Sequence, residues 1–235
     1  MLSALAHGEH GAVVRLFTRE HGLQAAYVHG GRSRASRPLL HPGNRLSTDI
    51  EHSGEGRLAT ARIELASSRA DLALDALSLA VLPWITGILA DTLAEGDPHA
   101  DLFGRTDAVL DLLAAEPGAH RTARTLAEYE LALLADLGFG LDLASCAVSG
   151  VRDGLAYVSP RSGRAVTAEG ASGYEPQLLA LPSFLIGGGE PQGDDLTAAL
   201  RLTRHFILRD LVSDRARPRL EQARDLIDAR LARLL

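Results

Sequence analysis

The chain has 235 residues, enough for one large domain or two modest ones, each with a buried core. Hydrophobic residues make up 46% and aromatics only 4%, so Leu, Ala and Val must fill most of the interior, which favours helices. One cysteine excludes an internal disulfide framework and a thiolate-rich zinc site, and the longest uncharged run, Ala76 to Ala90, is too short to span a bilayer.

The formal net charge of −6 hides an uneven distribution. Met1 to Arg69 carries +3, Ala70 to Asp195 carries −13, and Leu196 to Leu235 carries +4. Every basic residue is Arg and none is Lys. Binding of a polyanion answers to local potential, so the acidic total does not exclude a nucleic-acid partner. No basic-then-apolar leader opens the chain, and with the lone cysteine this fits a cytoplasmic protein.

In chain order, the first seventy residues read as short strands. Ala12 to Thr18 is apolar and β-branched, Arg19-Glu20-His21-Gly22 forms a polar turn, and Leu23 to His29 resumes an extended pattern, together a hairpin signal. Gly30 to Gly43 is loop-like. Arg45 to Glu51 and Arg57 to Leu65 supply two further strands, with Ser53-Gly54-Glu55-Gly56 turning between them. Four or five short strands closing on themselves suggest a small barrel, the OB type being one possibility.

After Ser67 the period becomes helical. Helices are expected over Arg69 to Ala80, Leu82 to Leu93, Thr106 to Ala115 and Arg121 to Leu137, the last stopped by Gly138 and Gly140. Another segment starts near Asp97-Pro98, and Asp195 to Leu211 and Pro218 to Leu234 complete the set. Residues 141–193, rich in Gly, Ser and Pro, read as an irregular insert. The predicted architecture is α+β: a strand-rich domain over 1–68 and a helical domain over 69–235.

The most informative segment is Gly30-Gly31-Arg32-Ser33-Arg34-Ala35-Ser36-Arg37-Pro38. Three Arg stand among small residues, no acid occurs between His21 and Thr48, and Arg45 extends the patch. Guanidinium groups grip phosphate oxygens in a forked geometry, and small neighbours let a backbone approach. The same residues also suit an ordinary solvated loop; on a barrel face, phosphate binding becomes the better reading. Tyr27 and Phe17 could offer stacking surfaces, with core packing favoured for Phe17.

Other constellations point away from chemistry. His7-Gly8-Glu9-His10 lacks the HExxH spacing and reads as a solvated turn. Cys146-Ala147-Val148-Ser149-Gly150 resembles half a CxxCG zinc knuckle whose second sulfur is replaced, and about twenty residues on stand Val166, Thr167 and Glu169 rather than cysteine. Gly187-Gly188-Gly189 fits neither Walker nor GxGxxG spacing, no GxSxG elbow occurs, and Asp194-Asp195 reads as a helix N-terminus. No catalytic residue, metal ligand or cofactor is assigned.

Taken together, Gly8 to Val14, Leu16 to Gly22, Gly30 to Ser33, Leu137 to Leu143 followed by Cys146 and Gly150, and Leu155 to Pro160 resemble the RecO family of DNA repair proteins, over most of the chain and in the same order. The resemblance implies an OB fold near 1–70 and a helical C-terminal domain with a zinc-finger-like insert. It also implies binding of single- and double-stranded DNA, annealing of complementary strands, and loading of RecA on SSB-coated strands with RecR and RecF. Contact with the C-terminal tail of SSB and a bacterial, nucleoid-associated location follow as well. Many members of the family hold zinc with four cysteines; this chain keeps only Cys146, so packing must hold its insert. Family chains usually begin several residues earlier, which would make Met1 to Leu5 the end of a first strand.

The expected DNA contacts are Arg32, Arg34, Arg37 and Arg45, with Arg19 and Arg15 on the adjoining hairpin. Arg121, Arg124, Arg201 and Arg204 are candidates for the rim of a groove for the SSB tail. The competing reading is a protein-interaction adaptor that works through its helical domain, with incidental DNA affinity.

Overall fold

The computed structural model describes residues 1–52, 54 and 56–234. The turn expected at Ser53 to Gly56 lies partly outside the described residues. The fold is α+β, strand-rich at the amino end and helical after it. Two compact units divide the chain: Met1–Pro117 with Ser213–Arg230, and Gly118–Val212 with Leu231–Leu235.

The first unit is built on five strands: β1 (Ser3–His7), β2 (Gly11–Thr18), β3 (Gly22–Val28), β4 (Arg45–Glu51) and β5 (Ala59–Ser67). Their order in the sheet is β1-β2-β3-β5-β4. The first three form an antiparallel meander, β3 and β5 run parallel, and β4 and β5 are antiparallel. Alternation along β2 sends Val14 and Leu16 inward, where they pack with Ala26, Val28, Ala59 and Ala61. Arg15 and Phe17 take the opposite face by the same period. The β2–β3 turn closes at Gly22, whose φ is +59°, and a Cβ there would lie 1.8 Å from the Asp97 carbonyl oxygen. Only glycine satisfies both demands.

The boundaries of the first helices differ from the sequence expectation. Ala70–Leu74 is a short 3-10 turn, and one helix, α1 (Ala76–Thr92), then runs straight through Pro83. The break falls at Asp75, which caps α1 by accepting from the Ser78 N–H at 2.7 Å. A proline inside a helix costs about 3 kcal/mol. Burying Leu77, Val81, Trp84, Ile85, Ile88 and Leu89 returns roughly 1.5–3 kcal/mol each and outweighs it. Pro83 and Leu79, the residue whose carbonyl the Pro83 nitrogen cannot serve, both lie exposed. The segment expected to start near Asp97-Pro98 and the helix expected over Thr106 to Ala115 are one helix, α2 (Ala100–Ala115). After residue 212 the chain re-enters this unit as α5 (Arg217–Leu231), where the Leu220 methyl would meet a Cβ added at Gly87 at 2.7 Å and the buried Arg224 guanidinium lies 5.2 Å from the Trp84 ring.

In the second unit, α3 (Ala119–Asp136) packs against α4 (Asp195–Phe206), which continues as a π turn over Ile207–Leu211. Helix α3 ends as predicted: Gly138 takes φ +85° and the Phe139 N–H reaches back to the Leu134 carbonyl at 2.7 Å. Residues 141–193, read as irregular, contain a small sheet of β6 (Leu155–Val158), β7 (Ala165–Thr167) and β8 (Leu179–Ala180). Strands of two to four residues leave too little alternation to register in sequence.

Arg69, just after β5, ties the sheet to α2. Its side chain is 5% exposed. It donates to the Gly43 carbonyl at 2.7 Å, the Asp107 carbonyl at 3.0 Å and the Asp111 carboxylate at 2.8 Å, and pairs with the Asp107 carboxylate. Arg45 pairs with the same two carboxylates from the edge of β4, at 2.9 Å to Asp111. Burial works to raise the pKa of Asp107, but hydrogen bonds from Arg69 and Arg45 outweigh it and hold the carboxyl below its usual range. Replacing Arg69 by Met is expected to lower stability by about 2–4 kcal/mol in urea titration, since Asp107 keeps its burial and loses a partner. A carboxylate with a depressed folded pKa stabilises above its unfolded pKa of about 4 and loses that contribution as pH falls. The gap between wild type and Arg69→Met should therefore narrow as pH falls below about 4, leaving the share carried by the Gly43 and Asp107 carbonyls; a gap constant with pH would refute the assignment.

Candidate nucleic-acid interface

The loop between β3 and β4 is a set of tight turns rather than a free strap. The Arg32 N–H donates to the His10 carbonyl at 3.1 Å, which pins the loop to the β1–β2 turn. Within it the Ser33 hydroxyl accepts from the Ser36 N–H at 3.1 Å, and the Arg37 N–H returns to the Ser33 carbonyl at 3.1 Å. Leu40 packs against the sheet core. Buried Asn44 closes the far end, donating to the Pro38 and Leu39 carbonyls at 2.9 and 3.2 Å and accepting from the Arg69 N–H at 3.1 Å. Arg69 and Asn44 thus fix both the loop and the sheet edge.

Three of the six predicted DNA contacts come together in this loop. Arg32, Arg34 and Arg37 are all exposed. The Arg32 guanidinium donates to the carbonyls of Gly8 and Glu9 at 3.1 and 3.2 Å. Arg34 and Arg37 have no ion-pair partner among the described residues. The other three lie elsewhere. Arg45 is balanced by Asp107 and Asp111. Arg15 donates to the Ala90 carbonyl in the last turn of α1, a favourable place for a cation. Arg19 sits with its guanidinium 5.2 Å from the Phe103 ring on α2.

The surroundings give the loop a direction. A cleft of about 490 Å³ beside it is lined by His29, Ser36, Leu39, Asp49, Glu51 and Arg62, among others, and the two carboxylates make that side poor for a phosphate backbone. Near the β1–β2 turn, half-buried Tyr27 stands between His7 and His29, with ring centroids 5.9 and 4.8 Å away. Phe17 is buried against Phe103 at 5.5 Å, as core packing requires. Sequence reasoning picked out Tyr27 but missed its neighbours. His29 is recoverable from i, i+2 spacing, whereas His7 arrives only through the β1–β2–β3 register, in which Leu5, Val13 and Tyr27 are opposed. Among the described residues no group of three or more His, Cys, Asp and Glu could hold a metal, and no helix is long and apolar enough to cross a membrane.

In the second unit the four candidate partner-binding residues occupy α3 and α4. Arg121 and Arg201 are exposed and Arg204 is half-buried. Arg124 donates to Glu128 at 2.9 Å, pairs with Glu190, and lies 5.9 Å from the Phe184 ring.

Comparison with known proteins bears on both units. A family model described as Recombination protein O N terminal matches residues 1–69, and one described as Recombination protein O C terminal matches residues 73–218. A protein called DNA repair protein RecO from Paracoccus denitrificans is 43% identical over 225 residues, covering 96% of this chain and 90% of the relative. Proteins of that name from Rhodospirillum centenum and Xanthobacter autotrophicus are 42% and 40% identical, covering 90% and 92% of this chain and 84% and 88% of theirs. Similarity at this level along nearly the whole length, with both family models in order, agrees with the motifs read from the sequence: the chain belongs to the RecO family of DNA repair proteins.

Proposed function

We propose that this chain is a recombination mediator without catalytic chemistry: it binds single- and double-stranded DNA, anneals complementary strands, and helps load RecA on SSB-coated DNA together with RecR. The carrying observation is the exposed loop with Arg32, Arg34 and Arg37, two of them without carboxylate partners among the described residues. It stands on a five-stranded sheet whose order β1-β2-β3-β5-β4, with β3 and β5 parallel, suits an OB-type barrel over residues 1–68. The remaining chain, 69–235, is the helical domain of this reading, with 141–193 as its zinc-finger-like insert.

Three guanidinium groups on one short loop neutralise successive phosphates, releasing counterions and giving affinity without sequence preference. Tyr27 adds a ring on which an unstacked base can lie. Arg15, Arg19 and Arg45 contribute less in this reading: Arg45 is balanced by carboxylates, Arg15 is half-buried against a helix end, and Arg19 lies against the Phe103 ring. The Arg pairs of α3 and α4 remain the proposed rim for the acidic tail of SSB, with Arg121 and Arg201 the more accessible. The protein acts on DNA in the cytoplasm, at the nucleoid.

The test is titration of fluorescent oligonucleotides at several salt concentrations, followed by strand annealing with and without SSB. Replacing Arg32, Arg34 and Arg37 together by Ala should reduce the salt slope for single strands by about 2, at about 0.7 per phosphate contact, and abolish annealing. Binding that survives the triple substitution unchanged defeats the site. Binding of neither DNA form by the wild type, with SSB or RecR still captured, favours the adaptor reading instead.

A further inference from the structure

The family implies a zinc-held insert, and the second unit allows a test of that on its own atoms. Cysteine-bearing zinc knuckles place ligands as two x-x-spaced pairs. In this chain Cys146 and Ser149 form one such pair and Thr167 and Gly170 the other. The fold brings both pairs to one point. The Thr167 N–H donates to Cys146 Sγ at 3.3 Å, Thr167 Oγ1 lies 3.5 Å from that sulfur, and the Gly170 N–H donates to Thr167 Oγ1 at 3.1 Å. A Cβ added at Gly170 would stand 3.3 Å from the sulfur and 3.2 Å from Thr167 Oγ1.

These residues do not fit the metal. One thiol, two hydroxyls and a hydrogen replace four thiolates, and hydroxyl groups are poor ligands for zinc. The spacing is tighter as well. Tetrahedral thiolates about 2.3 Å from zinc sit about 3.8 Å apart, whereas this cluster has closed on itself at hydrogen-bond distance. Cys146 is 2% exposed and packs with Val166 and Ala171. The Ser149 hydroxyl and the Thr167 amide both donate toward its sulfur. The Cys146 N–H closes its own turn on the Val151 carbonyl at 2.7 Å, and the Ala147 N–H joins that turn to the second through the Ala165 carbonyl at 2.8 Å.

We infer that residues 146, 149, 167 and 170 are a zinc-knuckle frame converted to a metal-free one, in which the buried Cys146 thiol and the Thr167 hydroxyl make the cross-link that the ion would otherwise make. Packing alone is then an incomplete account of the insert, because a polar, directional cluster sets the register of the two turns. Two consequences follow. The insert folds without zinc, and its four positions still converge well enough for an ion to rebuild the site.

Purified wild type is expected to carry substoichiometric zinc, and excess chelator should leave its melting temperature unchanged. Cys146→Ala should lower that temperature by roughly 4–8 °C, while Cys146→Ser, which keeps an acceptor for the Thr167 N–H, recovers most of the loss. The Ser149→Cys, Thr167→Cys, Gly170→Cys triple variant should take up one zinc and, with cobalt, show the absorption of a tetrahedral thiolate site. Stoichiometric zinc in the wild type, removed by chelator with loss of stability, overturns the inference. So does Cys146→Ala melting with the wild type, or a folded triple variant that takes up no metal.

Discussion

A single buried guanidinium organises the first unit. Arg69 leaves the last strand and spends its donors on the Gly43 carbonyl, the Asp107 carbonyl and the carboxylates of Asp107 and Asp111. Through Gly43 it holds the end of the Arg-bearing loop, and through its own N–H it orients Asn44, which holds the loop's middle. Through α2 it fixes the helix against which Arg45 is also drawn. An isolated charge in that position would be prohibitive, so the two carboxylates are a condition of the geometry rather than an embellishment.

That arrangement sorts the arginines by what they are free to do. Cations near the helices are consumed: Arg45 by carboxylates, Arg15 by a helix C-terminus, Arg224 by burial over Trp84. Those on the β3–β4 loop are exposed: Arg32 donates only to the Gly8 and Glu9 carbonyls, and Arg34 and Arg37 have no ion-pair partner among the described residues. A polyanion would answer to this local surface and not to the net charge of −6, which arises wholly between residues 70 and 195, where the charge is −13. Asp107 and Asp111 illustrate the point, since they count toward the acidic total while neutralising arginines inside the fold.

We infer a comparable case in the insert of the second unit, one chemistry standing in for another. Where a metal ion would impose tetrahedral order on two turns, a thiol with donors around it imposes a shorter-range order. Hydrogen bonds demand closer approach than an ion between ligands, and Gly170 permits that approach because it has no side chain to intrude.

Much of this is legible in the residue order alone. Strands β2, β3 and β4 fall within a residue of their expected limits, because alternation over seven or eight residues is a local signal and Gly22 marks the turn. The end of α3 at Gly138, the Arg cluster of the loop, and the family itself were likewise present in residue order. Three matters belonged to the tertiary structure. Pro83 breaks no helix, because burial of the surrounding side chains exceeds its local penalty. Arg45 is not free, because its partners lie 62 and 66 residues away and no local pattern announces them. The insert is ordered, because its contacts join Cys146 to Thr167 across 21 residues through atoms that sequence shows only as one thiol and one hydroxyl. Composition and period fix what each segment prefers; which charge is spent and which remains available is decided only when distant segments meet.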